Sequence, residues 1–253
     1  MSVDRFRLDG QVALVTGASR GLGAAMALAL AQAGADVVLH DRTCSSDSEC
    51  AIRDQTGVRT ACVVADLMSR AEADRLVASA LERMGRVDIL VNNAGIIRRA
   101  PAVEFTDTDW DEVLEVNLTA VFRLCRAVGA HMLERGRGKI VNIASLLSFQ
   151  GGMTVPSYAA AKGAVAQVTK ALANEWAGRG VNVNAIAPGY MKTENTRPLL
   201  ENETRYRQIT ERIPAGRWGE PSDLAGAVVF LASPASDYVH GHVLVVDGGW
   251  LAR

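Results

Sequence analysis

Seven short apolar runs, most of them followed by a longer helical stretch, place the strongest constraint on how this chain can fold. They are QVALVTG at 11–17, ADVVLHD at 35–41, TACVVADL at 60–67, VDILVNNAG at 87–95, GKIVNIAS at 138–145, VNVNAIAPG at 181–189 and HVLVVDGG at 242–249. Their apolar residues are continuous rather than alternating, the pattern of a strand covered on both faces. Helical patterns occupy 21–34, a charged stretch ending at Met84, 106–136 with Thr106 or Asp107 as its cap, 157–178 and 221–233. Alternation of this kind predicts right-handed crossovers, hence an α/β fold with a doubly wound parallel sheet of about seven strands and helices on both faces. No linker, repeat or low-complexity segment divides residues 1–253, so a single domain is expected. The least regular stretch is polar and runs from 191 to 221 after the sixth strand; residues 190–220 are expected to form a lid over the site.

Composition narrows the function classes. With 49% hydrophobic and 22% charged residues in a 253-residue chain, an ordinary globular core is affordable and disorder is excluded. A net charge of −1 provides no basic footprint for nucleic acid or an acidic membrane. No apolar run reaches the roughly 18–20 residues of a membrane span, and the first ten residues lack the apolar segment of a signal peptide. Cys44, Cys50, Cys62 and Cys125 make no CxxC pair, which is consistent with reduced thiols in a cytoplasmic protein. His40, His131, His240 and His242 show no HExxH spacing, and no metal site is expected.

VTGASRGLG closes the first strand and opens the first helix. Gly17, Gly21 and Gly23 allow close approach of a pyrophosphate, which the free N–H groups and positive dipole of a helix N-terminus would hold. The spacing is GxxxGxG rather than the GxGxxG of the general dinucleotide fingerprint, but the placement is that of a Rossmann turn. Asp41 ends the second strand, where a carboxylate accepts from the adenosine 2′-hydroxyl and repels a 2′-phosphate. Arg20 and Arg42 nearby would instead receive that phosphate. NAD is the favoured cofactor on this reading and NADP remains open.

Chemistry concentrates in the second half. Tyr158 and Lys162 are four apart at a helix start and share a face. Ser145 ends the fifth strand, and ligand sites in doubly wound sheets lie beyond such strand ends. A phenol titrates near 10, so acting as a base near neutrality requires a shift of about three units, or roughly 4 kcal/mol. The adjacent Lys162 charge is the expected source of that shift.

TGASRGLG, NNAG, Asn117, Ser145, YAAAK and PGYMKT, in this order and spacing across nearly the whole chain, resemble the short-chain dehydrogenase/reductase family. The resemblance implies Tyr158 as general acid/base, Lys162 as its partner and a ligand of the nicotinamide ribose, Ser145 on the substrate oxygen, and Asn117 behind a water-linked proton relay. It implies cofactor contacts from Gly17, Ser19, Arg20, Gly21, Leu22, Gly23, Asp41, Arg42, Asp66, Leu67, Asn93, Ala94, Gly95, Pro188, Gly189 and Thr193. Asn92 belongs to the NNAG turn. The family's usual tetramer implies oligomer faces on the two long helices, with Trp250 packing at an interface and the GGWLAR tail reaching a neighbouring subunit.

GIIRRAP, ASLLSFQGG, RIPAGRWGEPSDL and VDGGWLAR further resemble the family's gluconate and ketodeoxygluconate dehydrogenases, which act on a secondary alcohol or ketone of a sugar acid. Arginine grips a carboxylate through paired hydrogen bonds. Arg98 and Arg99, just past the fourth strand, are therefore candidate substrate ligands, with Arg217 and Arg253 as further cations and Gln150 and Trp218 as possible pocket walls. A surface ion pair or a packing role is the alternative reading of each on sequence alone. Two other readings stay open: a reductase for another carbonyl class, such as a ketoacyl thioester or a polyol, and a non-catalytic dinucleotide sensor.

Overall fold

The structure is a computed structural model that describes residues 3–43 and 46–253; Cys44 lies outside them. Seven strands occur where the apolar runs predict them: β1 Val12–Thr16, β2 Asp36–Asp41, β3 Thr60–Val64, β4 Ile89–Asn92, β5 Gly138–Ile143, β6 Val181–Pro188 and β7 Val243–Val246. All pair in parallel, in the order β3-β2-β1-β4-β5-β6-β7. The winding reverses between β1 and β4, which opens a crevice at their carboxyl ends.

Side-chain alternation explains why both faces are apolar. Leu14 of β1 and Leu90 of β4 enter one core layer with Leu76, Leu124 and Leu172. Their neighbours Val15, Ile89 and Val91 enter the opposite layer with Met26, Leu30 and Val228. Helices α3 Arg70–Met84, α5 Ala120–Glu134 and α6 Pro156–Trp176 supply the first layer, and α1 Gly21–Gln32, α2 Ser46–Thr56 and α9 Ala225–Ala232 the second; α4 Asp107–Leu114 contributes to neither, and α7 Arg197–Leu200 and α8 Glu203–Arg212 pack in a separate cluster with Trp218 and Trp250. Among the described residues no helix is long and apolar enough to cross a membrane.

Three local features depart from the sequence pattern. The polar run SDSECAIRDQT forms α2, although among its described residues only Ile52 enters the core. The expected helix over 106–136 starts at Thr106, whose side chain accepts from Asp109 N. It is then interrupted by a π-helical turn at Glu115–Thr119. The segment 191–221 is more ordered than its composition suggests. It contains α7 and α8, the second capped by the side chain of Asn202, and its base is closed by a bridge between Met191 and Gly219.

A buried polar network ties the central strands to the helix behind them. Asn142 of β5 accepts from Asn92 Nδ2 at 2.8 Å and donates to Thr169 Oγ1 of α6 at 3.0 Å. Both asparagines and Thr169 are buried. Asn142→Ala should lower stability by about 2–3 kcal/mol, because it leaves partners unpaired where water cannot replace them; urea unfolding measures it.

Candidate active site

A cavity of about 940 Å³ opens along the carboxyl ends of the strands around the switch point. Its floor is the first βα turn. Gly17 takes the left-handed φ of 62°, which a side chain would strain. A Cβ at Gly23 would lie 2.0 Å from Gly17 O, so only glycine lets α1 settle onto the turn. Asn93 Nδ2 donates to Thr16 O and Gly17 O at 2.9 and 3.0 Å. Thr16 Oγ1 accepts from the N–H groups of Asn93 and Ala94 in return.

Arg20 is the N-cap of α1 and makes no side-chain cap bond. Gly21 and Leu22 line the cavity, so the first N–H groups of α1 are available to an anion. The donor chemistry therefore fits a dinucleotide pyrophosphate. Asp41, Arg42, Asp66 and Leu67 line the adjoining wall. Asp41 accepts from the hydroxyl of Ser19 and, at 2.7 Å, from Arg42 N. Arg20 and Arg42 are exposed and enter no ion pair among the described residues.

Asn93, Ala94, Gly95, Tyr158, Lys162 and Thr193 also line the cavity. Ser19, Gly23, Pro188 and Gly189 stand behind its wall. Ser19 is engaged with Asp41, and Gly189 donates to Val246 O at 2.9 Å against β7. Ile97 and Arg98 of GIIRRAP and Lys192 of PGYMKT line the cavity as well, with His40, Glu112 and Asn195. His40 is buried, bonds Ala65 O at 3.0 Å, and burial pulls its pKa down.

The reactive end lies where β5 stops. Ser145 caps a 3-10 turn, its Oγ accepting from Leu147 N at 3.2 Å. Ser148 Oγ donates to the Lys162 carbonyl at 2.6 Å and so links this turn to α6. Pro156 starts α6, placing Tyr158 in its first turn and Lys162 one turn later. Lys162 Nζ lies 5.6 Å from the Tyr158 ring centre and donates to Ile143 O at 2.6 Å. Burial pushes the Lys162 ammonium down to about 8.

Burial also dominates at Tyr158 and raises its pKa, while a hydrogen bond with Ser145 and the Arg99 charge pull it down. Lys162, whose ammonium donates to the Ile143 carbonyl, is not among the groups that shift the phenol here. Asn117, fully buried in the π turn, grips the backbone of Ile96 at both ends: its Oδ1 accepts from Ile96 N and its Nδ2 donates to Ile96 O, each at 2.8 Å. Its side chain thus fixes the loop that follows the NNAG turn.

The candidate substrate residues separate sharply. Arg98 is committed to Glu112 at 2.7 Å and Asp109 at 3.2 Å. Arg217 is a surface fork onto Asp223, away from the cavity wall. Arg253 reaches, among the described residues, the carbonyls of Glu211 and Arg212. Arg99 has no carboxylate partner among the described residues; it donates to Asn195 O at 3.0 Å and its charge bears on Tyr158 and Tyr190. Gln150 accepts from Trp250 Nε1 at 3.3 Å.

Trp218 is buried against Tyr190 and Tyr206 and donates to Thr210, so it packs the lid segment rather than lining the cavity. Trp250, expected at a subunit interface, is buried in its own chain beneath Arg212 and against Tyr190. The end of the GGWLAR tail contacts its own chain, where Arg253 donates to the carbonyls of Glu211 and Arg212.

A family profile described as enoyl-(acyl carrier protein) reductase matches residues 17–251. The chain is 53% identical over 250 residues to the 2-dehydro-3-deoxy-D-gluconate 5-dehydrogenase of Bacillus subtilis strain 168, covering 99% of this chain and 98% of that protein. It is 46% identical to the gluconate 5-dehydrogenase of Gluconobacter oxydans strain 621H, covering 97% and 96%. The crystal structure of a gluconate 5-dehydrogenase from Burkholderia cenocepacia J2315 in complex with NADP and tartrate superimposes with a TM-score of 0.94 at 44% identity, covering 99% of this chain and 98% of that one.

The buried lysine has a measurable cost. Its folded pKa of about 8 lies below its ordinary 10.5, so the unfolded chain holds the proton more tightly. The penalty is full below pH 8 and is relieved as pH rises to 10.5. Lys162→Met should therefore be more stable than the parent at pH 7, by up to about 3 kcal/mol, and thermal melts should show the advantage vanishing through that window.

Proposed function

The chain belongs to the short-chain dehydrogenase/reductase family, and we propose that it interconverts a secondary alcohol and a ketone on a sugar acid of the gluconate, 2-deoxygluconate or 2-keto-3-deoxygluconate type. Membership makes it an NAD(P)-dependent oxidoreductase. The sugar-acid reading rests on Arg99, a guanidinium without a carboxylate partner among the described residues, whose charge reaches Tyr158. A bound hydroxy acid presents its carboxylate to such a group when its alcohol meets the phenol. The names of the relatives, and the tartrate held by the Burkholderia enzyme, support this reading.

Tyr158 gives or takes the proton of the substrate oxygen, and Ser145 hydrogen-bonds the same oxygen and holds its developing charge. Lys162 binds the nicotinamide ribose hydroxyls from the same helix face. Asn117 holds the loop beside them and backs the proton path. The nicotinamide, when bound, supplies or accepts the hydride. Residues 190–220 act as the lid over the substrate.

A panel of hexonates, ketohexonates, neutral polyols and acyl thioesters, followed by nicotinamide absorbance at 340 nm, tests the assignment. Hexonates or their keto forms should turn over. Tyr158→Phe should abolish that turnover with cofactor affinity intact, and Arg99→Ala should raise KM for the acid at least tenfold while Arg98→Ala does not. Turnover confined to thioesters, or tight dinucleotide binding with no turnover at all, would overturn the proposal.

NAD is the preferred cofactor on the strength of Asp41, with Arg20 and Arg42 allowing NADP to bind. Asp41→Ala should then shift the ratio of the two dissociation constants toward NADP. A fluorescence titration that finds the ratio unchanged removes Asp41 from the ribose site.

A further inference from the structure

Thr154 is the one non-glycine residue with positive φ among the described residues, at 62°. A β-branched side chain in that region is strained, and such strain persists only where surrounding structure over-determines it. Nothing in the packing of the side chain demands threonine here. It is exposed, and its hydroxyl is spent on the neighbouring Met153 carbonyl at 2.6 Å. The backbone, in contrast, has a long-range partner: Thr154 O accepts from Ala100 N at 3.1 Å.

This bond joins two loops that bear on the chemistry. Thr154 lies between Ser145 and Tyr158, two residues before the start of α6. Ala100 directly follows Arg99. Arg99 is thereby held at both ends, through the next peptide by Thr154 and through its guanidinium by Asn195 O at 3.0 Å. A side chain fixed in this way loses little freedom on meeting a carboxylate.

We propose that Thr154 is a positioning residue for substrate specificity, its strained peptide fixing the loop that presents Arg99 to the acid group. The inference rests on the sugar-acid reading above. It assigns acid selectivity to the backbone joint as well as to the arginine. Removing the joint should weaken acids selectively and leave neutral substrates and the dinucleotide alone.

Three variants test it: Thr154→Pro, which cannot take a positive φ; Thr154→Asn, which tolerates one; and Ala100→Pro, which deletes the donor without touching the strained residue. Thr154→Pro and Ala100→Pro should each raise KM for gluconate about tenfold, with kcat/KM for the matching hexitol and the dinucleotide dissociation constant within twofold of the parent. Thr154→Asn should keep the parental KM and melt no lower than the parent. Equal losses on acid and hexitol, or a Thr154→Asn enzyme as impaired as Thr154→Pro, would overturn the proposal. Hydrogen exchange separates its failure from failure of the sugar-acid reading. Residues 96–101 should exchange faster in Thr154→Pro and not in Thr154→Asn; unchanged exchange in both defeats the joint whatever the substrate, whereas inactivity of the parent on every hexonate defeats the reading of function.

Discussion

The side-chain amide of Asn93, bonded to the carbonyls of Thr16 and Gly17, is the tie on which the site depends. β1 and β4 are neighbours in the sheet, but the chain leaves them in opposite directions, so their ends would otherwise part. Unpaired carbonyls at that depth are costly, and one amide satisfies both while closing the crevice floor. Gly17 can then hold its left-handed turn, and Gly23 can bring α1 close enough for its N-terminus to face the cavity. On the far side of the same loop, Asn117 secures Ile96, and the π turn is what carries that side chain into place.

Burial sets the electrostatics at the reactive end. Lys162 and Tyr158 share one helix face, and desolvation drives both toward neutrality, the ammonium downward and the phenol upward. The fold stores an unfavourable charge at Lys162, a destabilised group of the kind that functional sites retain. Ser145 and Arg99 act in the opposite sense on the phenol, so groups on three separate segments bear on its proton. A mutation distant in sequence, at Arg99, thus bears on the same proton as one at Ser145.

The strands were legible because residues buried on both faces must be apolar without interruption, which leaves a signal as plain as VALV or DILV. The glycine turn, Ser145, Tyr158 and Lys162 were legible because spacing along one helix or at one strand end already brings them together. Helix α2 was not, since among its described residues Ile52 is the one buried in the core and its remaining polarity reads as loop. His40 was not, because a histidine beside a strand end carries no pattern that separates a buried wall residue from a solvated one. The interruption of the 106–136 helix is invisible in sequence for another reason: a π turn preserves composition and shifts only the register. Trp250 shows the limit of analogy, since an aromatic near a chain end suits an interface and its own subunit's core equally well until its packing against Tyr190 and Arg212 is seen.

Arg98 and Arg99 make the same point at the scale of one peptide bond. Sequence presents them as equals, two guanidiniums past one strand. The helix α4 that follows supplies Asp109 and Glu112 three apart, on one face, and Arg98 meets both. A guanidinium so neutralised has little left to offer another carboxylate. Arg99 meets a backbone carbonyl in place of an acid, and its charge bears on Tyr158. Which of two identical side chains is free to bind an anion is therefore decided by carboxylates eleven and fourteen positions on from Arg98, through a helix whose start is fixed by the Thr106 cap.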